Sequence, residues 1–556
     1  MHNGEECLFE SLAVQAKPDP LQVVKTPIHQ VVEANGSCEV LCDGNVIASF
    51  PLAFDPQLAL TLLIEINSVR TKDGTPIYAA YQMEGISIWP MLQEHLFWGF
   101  LQPFIKYRPV LDWLEARPDI RSETEIQGLQ VWLGLLGGGI DHESATDGTA
   151  GRHRLETLFL QANALLCGVW SRLRGARFVL WSLNCVWGNR WIDYRLKDVY
   201  ATLWDHNVPF LEGFPFPGFK TVIRRLIGSK RLVFYAPNVQ RVLPEARKRA
   251  CHFDYDFAGL KLISAAFFVP LLRHFEVLAA NVNIHTRLLD LLLSLAGCRR
   301  VIGIDEHTSF AALRCATRKA GIEMIGLQHG VFHKYSIGWT TPGIPHEATT
   351  GYDRILVWGP FWSNLLTELS STYTSPQLEN AGFIRPSTIN LRARRMQPPR
   401  GQLRILLPYE FLANPEEIAA YVEAFLAKGY HVLFKVRFDD TLDQQLCMIP
   451  RERVELVPEI TQELLDTIHV CAGTSTTMMY ELLHLGVPTW FIQTKHDSNI
   501  HMVEKGLASL ITLDMLAESD FDPWKNILIC PQKDDMFTEE GIPERVLKIA
   551  STPIHP

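Results

Sequence analysis

From about residue 152 onward the apolar positions settle into a regular rhythm. Leu155, Leu158, Phe159, Ala162, Leu165, Leu166, Val169 and Leu173 recur at helical spacing, and Gly175 closes the run. Two short apolar strands follow, Phe178–Leu183 and Arg231–Ala236. A helix over His285–Gly297 leads to a strand at Val301–Ile304, and a helix over Ser309–Gly321 leads to a strand at Glu323–Leu327. Strands alternating with helices of about 10–15 residues predict βαβ units and a parallel sheet.

The rhythm restarts with strands at Arg354–Gly359 and Asn380–Pro386, followed by a polar, basic, proline-containing connection over 387–401. A strand at Arg404–Tyr409 comes next. Asn414-Pro415-Glu416-Glu417 then marks a helix start, with an N-cap, a proline in the first turn and a carboxylate at the third position. Strands at His431–Val436, Val454–Val457, His469–Gly473 and Thr489–Ile492 complete the series. Residues 1–150 show less pattern: a hairpin over Cys38–Phe50 turning at Asp43-Gly44, and a polar loop near 137–151. The expected fold class is α/β, with two Rossmann-like doubly wound domains facing a cleft. They span 151–345 and 346–540, flanked by an N-terminal extension (1–150) and a C-terminal helix and tail (541–556).

Composition narrows the class. The 556 residues are 47% hydrophobic and 20% charged, which fits globular domains and excludes a disordered or fibrous chain. Acidic residues outnumber basic ones by 61 to 52, a net charge of −9, and no nucleic-acid partner is expected. The 11 cysteines form no CxxC pair, which speaks against a disulfide framework or a structural zinc site. The N-terminal MHNGEECLFE has no apolar signal region, and Leu260–Leu272 is too short to span a bilayer, so it reads as a buried helix. A cytoplasmic location is expected.

Candidate chemistry collects at strand ends. Asp305, Glu306 and His307 stand where a strand gives way to a helix, the position from which α/β sheets present functional side chains. A helix cap there is the competing reading. Gln328, His329, Gly330, His333 and Lys334 follow the next strand. His329 could take a proton from an acceptor hydroxyl, Gly330 would permit a sharp turn, and His333 with Lys334 could offer positive charge to a phosphate. Gly473, Thr474, Ser475, Thr476 and Thr477 lie between a strand and a helix, where hydroxyls and free N–H groups suit an anion. No Walker lysine follows, and an ordinary serine/threonine cap is the alternative. Glu481 sits about one turn on, within reach of a ribose or sugar hydroxyl. Lys435 and Arg437 share a face at another strand end and could neutralise a leaving phosphate, and Asn499 follows a further one.

These residues bring a family resemblance into view. The stretch GTSTTMMYELLHLGVP (Gly473–Pro488) is similar to the donor-binding helix of GT-B glycosyltransferases, and Lys495–Ala508 resembles the segment after it. LQHGVFHK resembles the QHG stretch of bacterial Kdo transferases, which use CMP-Kdo, and more distantly that of CDP-glycerol glycerophosphotransferases. The resemblance covers about residues 300–510. It implies that His329 lies at the cleft and that Ser475 with Thr476 holds the donor phosphate. The families' Lys-x-His-Pro stretch is here Lys435-Val436-Arg437-Phe438, with arginine replacing histidine.

The resemblance therefore implies a glycosyltransferase moving a sugar from a nucleotide-sugar donor to a glycan or lipid-linked acceptor. Asp305, Glu306 and His329 would face the reacting carbon, one of them as base or, in a retaining enzyme, a carboxylate as nucleophile. Glu481 and Asn499 would hold hydroxyls. No metal and no other cofactor is expected. The alternatives are a glycerophosphotransferase, in which His329 activates a hydroxyl for attack on phosphorus, and a non-catalytic nucleotide-sugar-binding protein of the same fold. A lipid-linked acceptor leaves room for peripheral membrane association, although no basic amphipathic helix stands out.

Overall fold

The computed structural model describes residues 28–34, 37–52, 55–83, 85–117, 121–136, 148–176, 178–182, 192–229, 231–239, 241–304, 308–386, 402–410, 412–436, 448–495, 498–523, 525–526 and 535–552. Three sheets of four or more strands organise them, with two two-stranded sheets besides. The N-terminal sheet holds β1 (Ile28–Ala34), β2 (Ser37–Cys42), β3 (Asn45–Pro51) and β4 (Arg121–Thr124), in the order β3-β2-β1-β4. The expected hairpin is β2–β3, and it turns through Asp43 (φ 49°) and Gly44 (φ 80°), the left-handed pair that a two-residue turn requires.

The second sheet comprises β5 (Phe178–Trp181), β6 (Leu211–Pro215), β7 (Val233–Ala236), β8 (Arg300–Gly303), β9 (Glu323–Leu327), β10 (Arg354–Val357) and β11 (Leu378–Asn380). All are parallel, in the order β7-β6-β5-β8-β9-β10-β11. The third contains β12 (Arg404–Pro408), β13 (His431–Lys435), β14 (Glu455–Val457), β15 (Val470–Gly473), β16 (Thr489–Ile492) and β17 (Ser509–Ile511). It is also parallel, ordered β14-β13-β12-β15-β16-β17. In each of these two parallel sheets the third strand in sequence is outermost and the fourth pairs with the first, which is doubly wound Rossmann order. Most of these strands are buried continuously, as parallel strands covered on both faces must be.

Helices cover them: α1 (Gly148–Arg174), α2 (Phe219–Ser229), α3 (Ala265–Ala296), α4 (Thr308–Lys319), α5 (Pro360–Leu369), α6 (Pro415–Ala427), α7 (Met478–His484) and α8 (Ile542–Ser551). The apolar stretch at Leu260–Leu272 and the helix read at His285–Gly297 are largely parts of one helix, α3, which ends on Gly297 at φ 67°. Helix α3 is long and apolar enough to cross a membrane by length and composition, yet half of its most apolar window is buried in this fold.

One expectation needs correction. A restart at residue 346 would place β10 and β11 with the second unit, but both pair into the second sheet, that of the first unit, so the change of sheet falls after Asn380. Apolar rhythm marks strands without saying which neighbour they join. The expected C-terminal helix is present as α8 and packs on the first unit. Its Ile542 N–H donates to Phe383 O at 3.1 Å, and Ile549 O accepts from Arg300 Nη1 at 2.8 Å, which seats it on the first unit.

Helix α1 is turned the opposite way from a standard amphipathic helix, in which the large apolar stripe faces the core. Its leucine stripe points outward, and Leu160, Asn163, Ala164, Cys167, Gly168 and Ser171 point inward. The inner face is small for a reason. A Cβ on Gly168 would collide with the Leu295 carbonyl, so glycine lets α1 lie directly against α3. Asn163 then seals the open edge of β7, donating to Val233 O at 2.8 Å and accepting from Tyr235 N at 3.0 Å.

Candidate functional site

In doubly wound sheets the crevice for ligands opens at the carboxyl ends of the strands, where the winding reverses. The reversals lie between β5 and β8 in the first unit and between β12 and β15 in the second. The two sets of strand ends approach each other. Arg385, just beyond β11, pairs with Glu481 on α7 at 3.2 Å. His333, in the loop after β9, feels the charge of His501, which follows β16. Asp55 of the N-terminal block pairs with Lys495 at 3.1 Å.

At the second reversal the protein supplies its own anion. Glu410 follows β12 and is fully buried. One carboxylate oxygen accepts from Thr474 N at 2.9 Å, and the other accepts from Ser475 N at 2.7 Å and from the Ser475 hydroxyl. The N–H groups expected to cradle a donor phosphate are thus held by an internal carboxylate. Gly473 belongs to the same arrangement, because a Cβ there would run into Glu410. Burial raises the Glu410 carboxyl to about 7, against the lowering effect of these donors. Thr474 and Ser475 are buried behind this contact, whereas Thr476 and Thr477 remain partly exposed.

Asn499 stands beside this loop. The neighbouring Ser498 hydroxyl donates to Thr474 O at 3.3 Å. Asn499 itself is fully buried, and among the described residues neither its amide nitrogen nor its amide oxygen has a hydrogen-bond partner. An unpaired buried carboxamide costs about 1–3 kcal/mol, so such groups are rare unless a ligand or water uses them. Lys435 ends β13 and donates to Val436 O at 2.6 Å. Burial lowers its ammonium, and Glu459 and Glu481 act in the opposite sense. Burial raises Glu481, while Arg385 and then Lys197 draw it down. Glu481 is therefore engaged by cations of the first unit rather than held open for a ribose.

In the first unit, β8 and β9 run in register with Gly303 opposite Gly326, so the segments after them leave the sheet side by side. Gln328 is a loop builder. It is fully buried, donates to Gly330 O at 3.0 Å, and accepts from Trp358 N at 2.9 Å. His329 is half-buried, with its ring 6.4 Å from that of Trp339. Gly330 has neither a positive φ nor a crowded Cβ position, so the bend there does not require glycine. His333 is not the cation the sequence suggested. Burial, followed by the charges of His501 and Lys334, pushes its imidazole down to about 3, and Nδ1 accepts from Tyr335 N at 3.1 Å. Lys334 is half-buried and lies 5.2 Å from the centre of the Tyr335 ring. Asp305, Glu306, His307 and Arg437 lie outside the described residues.

The N-terminal block buttresses this loop. Gly338 N donates to Glu94 at 2.8 Å, Tyr335 OH to Gln57 at 3.3 Å, and Asn67 to Pro342 O at 2.7 Å. Sequence reasoning missed Glu410, Arg385, Lys197 and Asp55. Only Glu410 carried a signal, since it directly follows a readable strand at its carboxyl end. Among the described residues no group of three or more His, Cys, Asp and Glu side chains could hold a metal ion. A cavity of about 440 Å³ bordered by Phe361, Asn364, Glu368 and Lys505 lies elsewhere and includes none of the candidate residues.

No family model and no curated protein matches this sequence. Among solved structures, the calicheamicin glycosyltransferase CalG4 is 14% identical, covering 68% of this chain and 100% of its own, with a TM-score of 0.40. Acinetobacter baumannii MurG is 10% identical over 67% of this chain and 99% of its own, with a TM-score of 0.38. The Neisseria meningitidis UDP-GlcNAc 2-epimerase, solved with UDP-GlcNAc, is 13% identical over 67% and 99%, with a TM-score of 0.37. The strand order shows an α/β protein built on two doubly wound sheets, and the Arg385–Glu481 pair shows that their carboxyl ends approach each other.

Proposed function

We propose that this protein is a GT-B-like glycosyltransferase that transfers a sugar from a nucleotide donor to a surface-polysaccharide or lipid-linked glycan acceptor. A CMP-linked acidic sugar of the Kdo type is the donor class that the QHG resemblance favours. The observation that carries the reading is the fully buried Asn499 carboxamide, which has no hydrogen-bond partner among the described residues and stands beside the reversal of the third sheet. A polar ligand entering there would repair its unmet hydrogen bonds.

In this reading Glu410 is a positioning residue. It fixes Thr474 and Ser475, so that the partly exposed Thr476 and Thr477 face the donor phosphate with Lys435 and Arg437. Glu481 and Arg385 tie the two units together beside the donor. His329, partly exposed on the opposing wall, takes the acceptor proton, and Asp305 and Glu306, which follow strand β8 in sequence, are the other candidates for acid–base or nucleophilic work. The N-terminal block, which braces the His329 loop, bounds the acceptor side. A second reading, a nucleotide-sugar binder without turnover, is favoured by one observation: Glu410 already occupies the N–H groups an external phosphate would use.

Thermal unfolding with CMP, CDP, UDP and GDP tests the proposal. The matching nucleotide at about a hundred times its Kd stabilises by about 2.7 kcal/mol. If none raises the Tm, the enzyme reading fails. His329→Ala should leave that shift intact and abolish transfer. A nucleotide shift with no donor turnover in the unmodified protein supports the binder instead.

A further inference from the structure

We infer that the outer face of α1 docks on an anionic lipid bilayer. Leu155, Leu158, Leu165, Leu166, Val169 and Leu173 project from this helix, and Leu158, Leu166 and Leu173 are 63%, 62% and 80% exposed. Together with Ala162, they form a seam of three- and four-residue steps spanning about 27 Å at 1.5 Å per residue. Among the described residues nothing covers this seam, because the small inner face of α1 already meets α3 and β7.

Helix α2 extends the apolar surface at the same sheet edge. Phe159 of α1 and Phe219 of α2 are in ring contact at 5.4 Å, and Ile223, Leu226 and Ile227 beyond that contact are exposed, Ile227 by 73%. The charges around both helices select the partner. Arg154, Arg172 and Arg174 on α1 and Lys220 and Arg224 on α2 are exposed. The only acid on either helix, Glu156, is buried against Arg241 at 2.9 Å. Apolar side chains rimmed by cations, with no accessible carboxylate on these helices, suit an interface of acyl chains and anionic headgroups. A second copy of the same face would set like charges against each other. Arg241 lies just past the carboxyl end of β7, so the Leu155 end of the seam is at the cleft end of the sheet.

The test is sedimentation of the full chain with pure phosphatidylcholine vesicles and with equimolar phosphatidylcholine–phosphatidylglycerol vesicles. The protein should pellet with the anionic vesicles and stay in solution with the neutral ones. The pair Leu158→Glu and Leu166→Glu should abolish pelleting, and the pair Arg172→Glu and Arg174→Glu should weaken it at least about tenfold. All four positions are solvent-facing, so an unchanged melting curve serves as the fold control. Failure to pellet with either vesicle overturns the proposal. So does a dimer in sedimentation equilibrium that the leucine variants dissociate, which would assign the face to a second copy.

Discussion

Glu410 shows how one side chain decides the character of a site. Its carboxyl is raised from 4.5 to about 7 in the folded chain, so the folded state holds this proton more tightly than the unfolded state does. That contribution to stability is complete below about pH 4.5 and fades as pH rises to about 7. Glu410→Gln keeps the shape and removes the titration. Urea unfolding at pH 5 and pH 8 should then show a wild-type loss on the order of 3 kcal/mol that the variant lacks. Identical pH profiles would remove Glu410 from this role. Little of this was legible beforehand. Thr474 and Ser475 were visible as hydroxyls before a helix, but the carboxylate that meets them stands more than 60 residues earlier in the chain. His333 misled for a similar reason: its neutrality comes from burial and from His501 on the other unit.

Helices and strands were legible to very different degrees. Parallel strands read as continuous apolar runs, and most of those found in the two large sheets, including β5, β9, β13 and β16, were predicted within a residue or two. Strands β6 and β17 gave no signal, and the predicted strand at Asn380–Pro386 shrank to a short edge at Leu378–Asn380. Helix α1 was found, although its first turn from Gly148 read as loop, and its orientation could not be read. Periodicity identifies a stripe of leucines without revealing whether a neighbour waits on that side or on the side of small residues. Asn163 makes the orientation testable. Asn163→Ala strips a donor and an acceptor from the β7 edge and should cost about 2–4 kcal/mol in urea unfolding, as two buried hydrogen bonds lost together. An exposed asparagine, as the leucine-inward orientation requires, would cost under about 0.5 kcal/mol.

Across the whole molecule, the sequence showed two α/β units but not how the chain passes between them. After β11 it leaves the first unit, builds the second, and returns at Phe537, whose ring stacks 5.8 Å from that of Trp358. The return leaves no space at Gly382. Its φ is 84°, and a Cβ there would overlap the Glu540 carbonyl. Gly382→Ala should therefore destabilise by about 2–4 kcal/mol, combining left-handed strain with backbone overlap. It should also make the chain before α8 sensitive to limited proteolysis. Unchanged protease resistance would show that the return segment is not held there.

The return of α8 also has a consequence during synthesis. A growing chain offers its segments in order, at about 5–20 residues per second, and domains ordinarily fold as they emerge. Here the first unit to be translated cannot be finished first. Until residues past 541 have been made, the surface that receives Ile542 and Ile549 stays open, while the second unit already has every strand of its own sheet. The later-made unit is thus the one able to close unaided, and the earlier one waits on the nascent chain for its last helix.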